Sequence, residues 1–143
     1  MAIRQLTVFV QNQKGAMVAL TDILAKSNIN IRALSIAETE DFGVLRLIVD
    51  DEATATKILK ENGYLIKAID VVGVKLRDNP GALTAALDVL DKAGINVDYL
   101  YAFMARTEKH AYVVVRVEDN DAAEAAIENA GLHLITNADI LKL

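Results

Sequence analysis

The chain has 143 residues, 53% of them hydrophobic, with no cysteine and a formal net charge of −5. That apolar content can offset the entropy of ordering a backbone, which excludes a disordered tail, and the missing thiols exclude disulfides and thiolate metal sites. Residues 1–70 carry 8 basic and 9 acidic groups and residues 71–143 carry 7 and 11; no clustered basic face is expected, so nucleic acid is not an expected partner.

The N-terminus lacks the apolar core and small-residue cleavage pattern of a signal peptide. No run reaches the roughly 18 apolar residues of a membrane span, so the membrane is excluded as a partner and the cytoplasm is the expected location. Ile3 to Gln11 alternates, with Leu6, Val8 and Val10 on one side, and is read as a strand. After a short loop, Ala16, Leu20, Ile23 and Leu24 fall on one face of a helix from Ala16 to Lys26, and Asn28 marks its end. Strands Ile29 to Glu38 and Val44 to Val49 then form a hairpin about a turn at Glu40 to Gly43. Asp50 and Asp51 offer N-cap oxygens to a helix reaching about Asn62, Gly63 suits its left-handed C-terminal position, and Tyr64 to Asp70 makes a fourth strand.

The order then recurs. Strand Val71 to Arg77 precedes helix Gly81 to Lys92, hairpin strands Ile95 to Met104 and Ala111 to Glu118, helix Asp121 to Asn129 and strand Leu132 to Leu143. Gly15 to Asn30 (GAMVALTDILAKSNIN) and Gly81 to Asn96 (GALTAALDVLDKAGIN) align without a gap, 66 residues apart, with 8 of 16 positions identical. The register slips to 68 further on, which puts a two-residue insertion in the second hairpin turn, around Arg106 to Lys109. The chain is thus expected to hold two βαββαβ modules, residues 1–70 and 71–143, of α+β class. Each would carry both helices on one face of an antiparallel sheet. No Pro-, Gly- or Ser-rich linker separates them, so they are expected to pack as one rigid body. Val44 to Val49 and Val113 to Val115 show almost no polar alternation, which predicts that the helix-free face meets a second sheet in a homodimer.

Asp78-Asn79-Pro80-Gly81-Ala82-Leu83, between a strand and a helix, is the sharpest local signal. Asn79 is expected to cap the helix and Pro80 to take its first position. Gly81 would let a ligand approach the backbone, and the amides of Gly81, Ala82 and Leu83 would face outward at the positive end of the helix, where a carboxylate fits. A plain helix start is the competing reading. Asn30 and Asn96, at equivalent positions, could be ligand contacts or turn formers bonded to their own backbone. Tyr99, Tyr101 and Phe103 share one strand face and are expected to pack the sheet. His110 and His133 are expected to be surface or strand-filling residues, with no partner at metal spacing, so no metal or cofactor is expected.

The pattern Asp-x-Pro-Gly-x-Leu, then a helix, then Gly94-Ile95-Asn96-Val97, resembles the ACT domain, a small amino-acid-binding regulatory module of ferredoxin-like fold. The resemblance covers the chain as two tandem copies. In the first, Asn12-Gln13-Lys14-Gly15-Ala16-Met17 lacks the Asp and the Pro, while Ser27-Asn28-Ile29-Asn30-Ile31 keeps the strand start.

The resemblance implies paired modules holding a free amino acid at their seam. One site would join Asn79, Gly81, Ala82 and Leu83 to Asn30 and Ile31; the other would join Gln13, Gly15, Ala16 and Met17 to Asn96 and Val97. Loop amides would take the carboxylate, and the Asn30 or Asn96 amide oxygens, or nearby carbonyls, the ammonium. Met17, Leu83 and neighbouring alanines point to an aliphatic side chain. The resulting expectation is a non-catalytic sensor that signals to a partner enzyme or regulator. The alternatives are an interaction module that has lost its ligand and a small dimeric enzyme of the same fold.

Overall fold

The structure, a computed structural model, describes residues 3–105 and 109–143. The predicted insertion at Arg106 to Lys109 therefore lies mostly outside the described residues. Two compact units divide the chain: Arg4–Ile69, and Ile3 with Asp70–Leu143. Each is α+β, with antiparallel strands and helices on one face.

In the N-terminal unit the elements are β1 (Ile3–Gln11), α1 (Ala16–Lys26), β2 (Ile31–Glu38), β3 (Phe42–Val49) and α2 (Glu52–Glu61). β3 pairs antiparallel with β2 on one side and β1 on the other, with Val8 opposite Leu45 and Leu34 opposite Leu47. Period-2 alternation puts Leu6, Val8, Val10, Leu45, Leu47 and Val49 on the face that meets Leu20 and Leu24 of α1 and Ala55 and Leu59 of α2. Burying each such leucine contributes about 1.5–3 kcal/mol. The two helices therefore share one side of the sheet.

β4 (Leu65–Arg77) is a single strand of 13 residues, where the sequence suggested two strands ending and starting at residues 70 and 71. No proline interrupts it, and the β-branched run Ile69, Val71, Val72 and Val74 favours continued extension. The C-terminal unit continues with α3 (Ala82–Lys92), β5 (Tyr99–Ala102), β6 (His110–Arg116), α4 (Asn120–Asn129), β7 (His133–Ile135) and α5 (Asn137–Ile140). β4 pairs antiparallel with both β6 and β7, and β6 with β5. Val72, Val74, Leu76, Val113 and Val115 form a core with Ala86 and Leu90 of α3 and Ala123 and Ile127 of α4.

Two further elements differ from expectation. The predicted strand Leu132 to Leu143 stops at Ile135, because Thr136 and Asp139 form a capping box that starts α5. β5 is shorter than Ile95 to Met104: the Asn96 side-chain amide donates to the Asp98 carboxylate at 3.2 Å, a local bond that competes with ladder pairing, and Ile95 and Val97 pack into the core instead.

On the helix-free face of the C-terminal unit, Tyr101, Phe103, Tyr112 and Val114 are all buried within the single chain. The apolar run Val113 to Val115 thus does not itself require a second copy to cover it.

Candidate functional site

The two strand-to-helix loops have the same backbone. Gly15 has φ 87° and ψ −11°, and Gly81 has φ 90° and ψ −11°; each is the N-cap of its helix, with no side-chain capping bond. The internal hydrogen bonds match one for one. Gln13 N donates to Gln11 O at 3.0 Å and Asn79 N to Arg77 O at 3.0 Å, while Ala16 N reaches Gln13 O at 3.2 Å and Ala82 N reaches Asn79 O at 3.3 Å. Both loops are tied to the hairpin turn of their own unit, Asn12 N to Asp41 O at 2.9 Å and Asp78 N to Lys109 O at 3.1 Å. Those acceptors lie 68 residues apart and the donors 66, which is the predicted change of register.

This geometry corrects the expected capping. Gly81, not Asn79, is the N-cap, and Pro80 precedes it rather than opening the helix. The left-handed conformation at Gly81 carries the chain into the helix with no room in the scheme for an Asn79 side-chain cap. Ala82 spends its amide on the Asn79 carbonyl. The amides of Gly81 and Leu83 meet no acceptor among the described residues, and the same holds for Gly15 and Met17. At either glycine an added Cβ would meet nothing within 4 Å, so the loops are open on that side. Loss of the Asp and the Pro from the first motif has left its backbone unchanged.

The other predicted residues are placed less symmetrically. Asn30 is exposed, and its amide donates to the Asp50 carboxylate at 3.0 Å while Asp50 N returns to Asn30 O at 3.1 Å. Asp50 is therefore not a helix cap; Asp51 alone is, accepting from Thr54 N at 3.1 Å. Hydrogen bonding from Thr54, from its side chain first and then from its backbone amide, holds the Asp51 carboxyl below its ordinary range. In the second copy Asp119 caps α4 in the same way, but Asn96 spends a side-chain N–H on Asp98, which also lies 3.6 Å from Arg116. Ile31 and Val97 are half-buried and pack on their units' cores. Met17 packs against the first core, whereas Leu83 is 39% exposed.

A family model described as an ACT domain pair matches residues 1–143. The chain belongs to the ACT domain family. Its fold is that of protein BT0572 from Bacteroides thetaiotaomicron, with a TM-score of 0.93 at 37% sequence identity over 100% of this chain and 98% of that one. The regulatory subunit of aspartate kinase from Thermus thermophilus, in its ligand-free form, is similar at a TM-score of 0.67 and 17% identity, covering 89% of this chain and 91% of that one. Aspartate kinase from Synechocystis matches at a TM-score of 0.62 and 18% identity over 94% of this ACT pair but 26% of its own chain. No curated protein matches in sequence.

In the C-terminal ACT unit, Asn79, Gly81 and Ala82 line a cleft of about 650 Å³ whose walls also include Lys75, Arg77, His110 and His133. Asn96 and Val97 line a separate cleft at the other end of α3, with Leu87 and Asp91. The four basic residues were not candidates from the sequence. The signal that marks them is the comparison of the two copies beyond the 16-residue phrase, which puts Phe9, Gln11, Phe42 and Leu65 at the same places in the first. No helix is long and apolar enough to cross a membrane, and no group of His, Asp and Glu able to hold a metal ion occurs among the described residues.

Proposed function

We propose that this ACT domain pair is a non-catalytic cytoplasmic sensor that binds a free amino acid and passes its occupancy to a separate enzyme or regulator. The observation that carries this reading is the shared geometry of the loops at Gly15 and Gly81. Amides that no described group accepts, held at a helix N-terminus beside a position without a side chain, suit a carboxylate. The residues assigned to binding are Gln13, Gly15, Ala16 and Met17 in one loop and Asn79, Gly81, Ala82 and Leu83 in the other. Asn30, Ile31, Asn96 and Val97 contribute amide oxygens and backbone carbonyls toward an ammonium group. A ligand that favours one arrangement of the chain shifts its population by the difference in affinity, and that shift is the signal.

A homodimer is part of this reading. It is supported by large apolar residues left exposed in the N-terminal unit, Ile36, Phe9 and Phe42 at 47%, 43% and 55%. Sedimentation at twice 15.5 kDa supports the pair, and a mass of 15.5 kDa removes it.

The same exposed residues favour a second reading, an interaction module without a ligand. Thermal-shift screening against the twenty amino acids separates the two, since a ligand bound only by the native state raises the melting temperature. A rise with one amino acid or a related group supports the sensor. No rise with any of the twenty leaves the interaction module.

A further inference from the structure

Both histidines of the chain stand at the start of a strand, and both border the cleft beside the Gly81 loop. The strand register places them. Arg77 of β4 is the direct partner of His110 of β6, and Lys75 of β4 is the direct partner of His133 of β7. Cross-strand partners project from the same face, so the four side chains gather on one face at one end of the sheet. None of the described residues lining the cleft is acidic. Lys75 acts on the nearby Asp139 carboxylate, with which it and His133 border a neighbouring cleft, and Arg77 makes no ion pair among the described residues.

The fold does not call for this arrangement. The unit that contains them is otherwise the more acidic half of the sequence, with 11 acidic against 7 basic groups in residues 71–143. In the N-terminal unit the equivalent pair is Gln11 opposite Phe42, and Phe9 and Leu65 stand where Lys75 and His133 do. One backbone thus carries four basic residues in one copy and none in the other. A structural requirement would have shaped both alike.

We propose that the C-terminal cleft binds an acidic amino acid, aspartate or glutamate, with its side-chain carboxylate held by Arg77, His110, His133 and Lys75. The proposal rests on the sensor reading for the amino-acid part, in which the Gly81 loop takes the α-carboxylate. The charge pattern alone carries the acidic part, and it replaces the aliphatic side chain expected from Leu83. A guanidinium offers a carboxylate two parallel N–H donors, and none of the described residues lining the cleft is an acid that would compete for those of Arg77. A volume of about 650 Å³ is ample for a molecule of this size.

Calorimetric titration of the full chain with L-aspartate, L-glutamate, L-asparagine, L-glutamine and inorganic phosphate tests it. The expected result is binding of an acid at least tenfold tighter than its amide, with at least tenfold loss in the R77Q/H133L variant. That variant should fold, because Gln and Leu are the residues of the sister copy at these positions. If it does not, R77Q alone, at an exposed side chain, gives the same readout. Equal binding of acid and amide, or full retention of affinity in the variant, overturns the acidic ligand and leaves the sensor reading standing. Binding of phosphate without either acid overturns the proposal, the anion then being of another class. Failure of all four amino acids to bind overturns the acidic ligand, and a thermal-shift screen flat for all twenty overturns the sensor reading with it.

Discussion

The carboxylate of Asp50 accepts the backbone amide of Asn30 at 3.0 Å, and the amide of Asp50 donates to the carbonyl of Asn30 at 3.1 Å. This two-way clamp fixes the start of β2 against the end of β3, one residue before the cap of α2. Replacing Asp50 with Ala removes the charge-assisted half and is expected to cost about 1 kcal/mol in urea unfolding, with faster hydrogen exchange at the Asn30 amide. Glu118, the equivalent residue of the second copy, makes no side-chain hydrogen bond among the described residues. Glu118→Ala should therefore stay within about 0.5 kcal/mol of the parent, and equal losses at the two positions would refute the clamp.

Gly15 and Gly81 set the two loops by backbone conformation and not by lack of space. An alanine at either meets nothing within 4 Å but must hold φ near +90°, which costs about 1–2 kcal/mol for an L-residue. Gly15→Ala and Gly81→Ala are expected to destabilise by similar amounts and to weaken amino-acid binding. Gly73→Ala fails differently. Its Cβ would lie 3.0 Å from the Ile135 Cβ and 3.2 Å from the Ile3 Cδ1, so β7 must give way. That variant should lower the melting temperature while the Gly81 loop keeps its ligand. Equal stability of Gly15→Ala and the parent would show that the left-handed conformation is not needed there.

The Asn12 side chain donates to the Thr39 carbonyl at 2.8 Å, tying the first loop to its hairpin turn. Asp78, at the same place in the second copy, has no N–H on its side chain to donate. Asn12→Ala is expected to destabilise by about 1 kcal/mol in urea and Asp78→Ala by less than half of that. The reverse order would remove this side-chain tie as the reason the first loop keeps its shape without the Asp-Pro pattern.

Much of this architecture was legible because periodicity and duplication reinforce one another. α1 was bounded at Ala16 and Lys26 from four apolar positions, and α3 differed by one residue because a glycine that looks helical by alignment is the cap by conformation. Asn79 is not the cap for the same reason: its residue type suggests a side-chain bond, while the backbone itself closes the turn through Ala82 N and Asn79 O. The C-terminal strand ends early at a capping box four residues long, Thr136 to Asp139, too short to alter an apolar pattern. The basic cleft was hidden because register across β4, β6 and β7, not spacing along the chain, brings Lys75, Arg77, His110 and His133 together.

That capping box also gives α5 a dependence on pH whose sign follows from its bonds. The Thr136 amide donates to the Asp139 carboxylate at 2.9 Å and the Thr136 hydroxyl donates at 3.0 Å, while the Asp139 amide donates to the Thr136 hydroxyl oxygen at 3.2 Å. The backbone bond from Thr136, then its side-chain bond, with smaller help from Lys142 and Lys75, holds the Asp139 carboxyl below its ordinary value of 3.8. A carboxyl depressed in the folded state stabilises fully above the unfolded value, and the contribution is lost as pH falls through the folded one. At neutral pH Asp139→Asn should therefore loosen α5 and expose Ile140, which is otherwise buried, and Thr136→Ala should cost about 1 kcal/mol. Thermal melts of the parent and Asp139→Asn at descending pH should show a gap constant down to about pH 4 and closing below it. A gap that stays constant to lower pH would mean that the charge of Asp139 does not hold the helix.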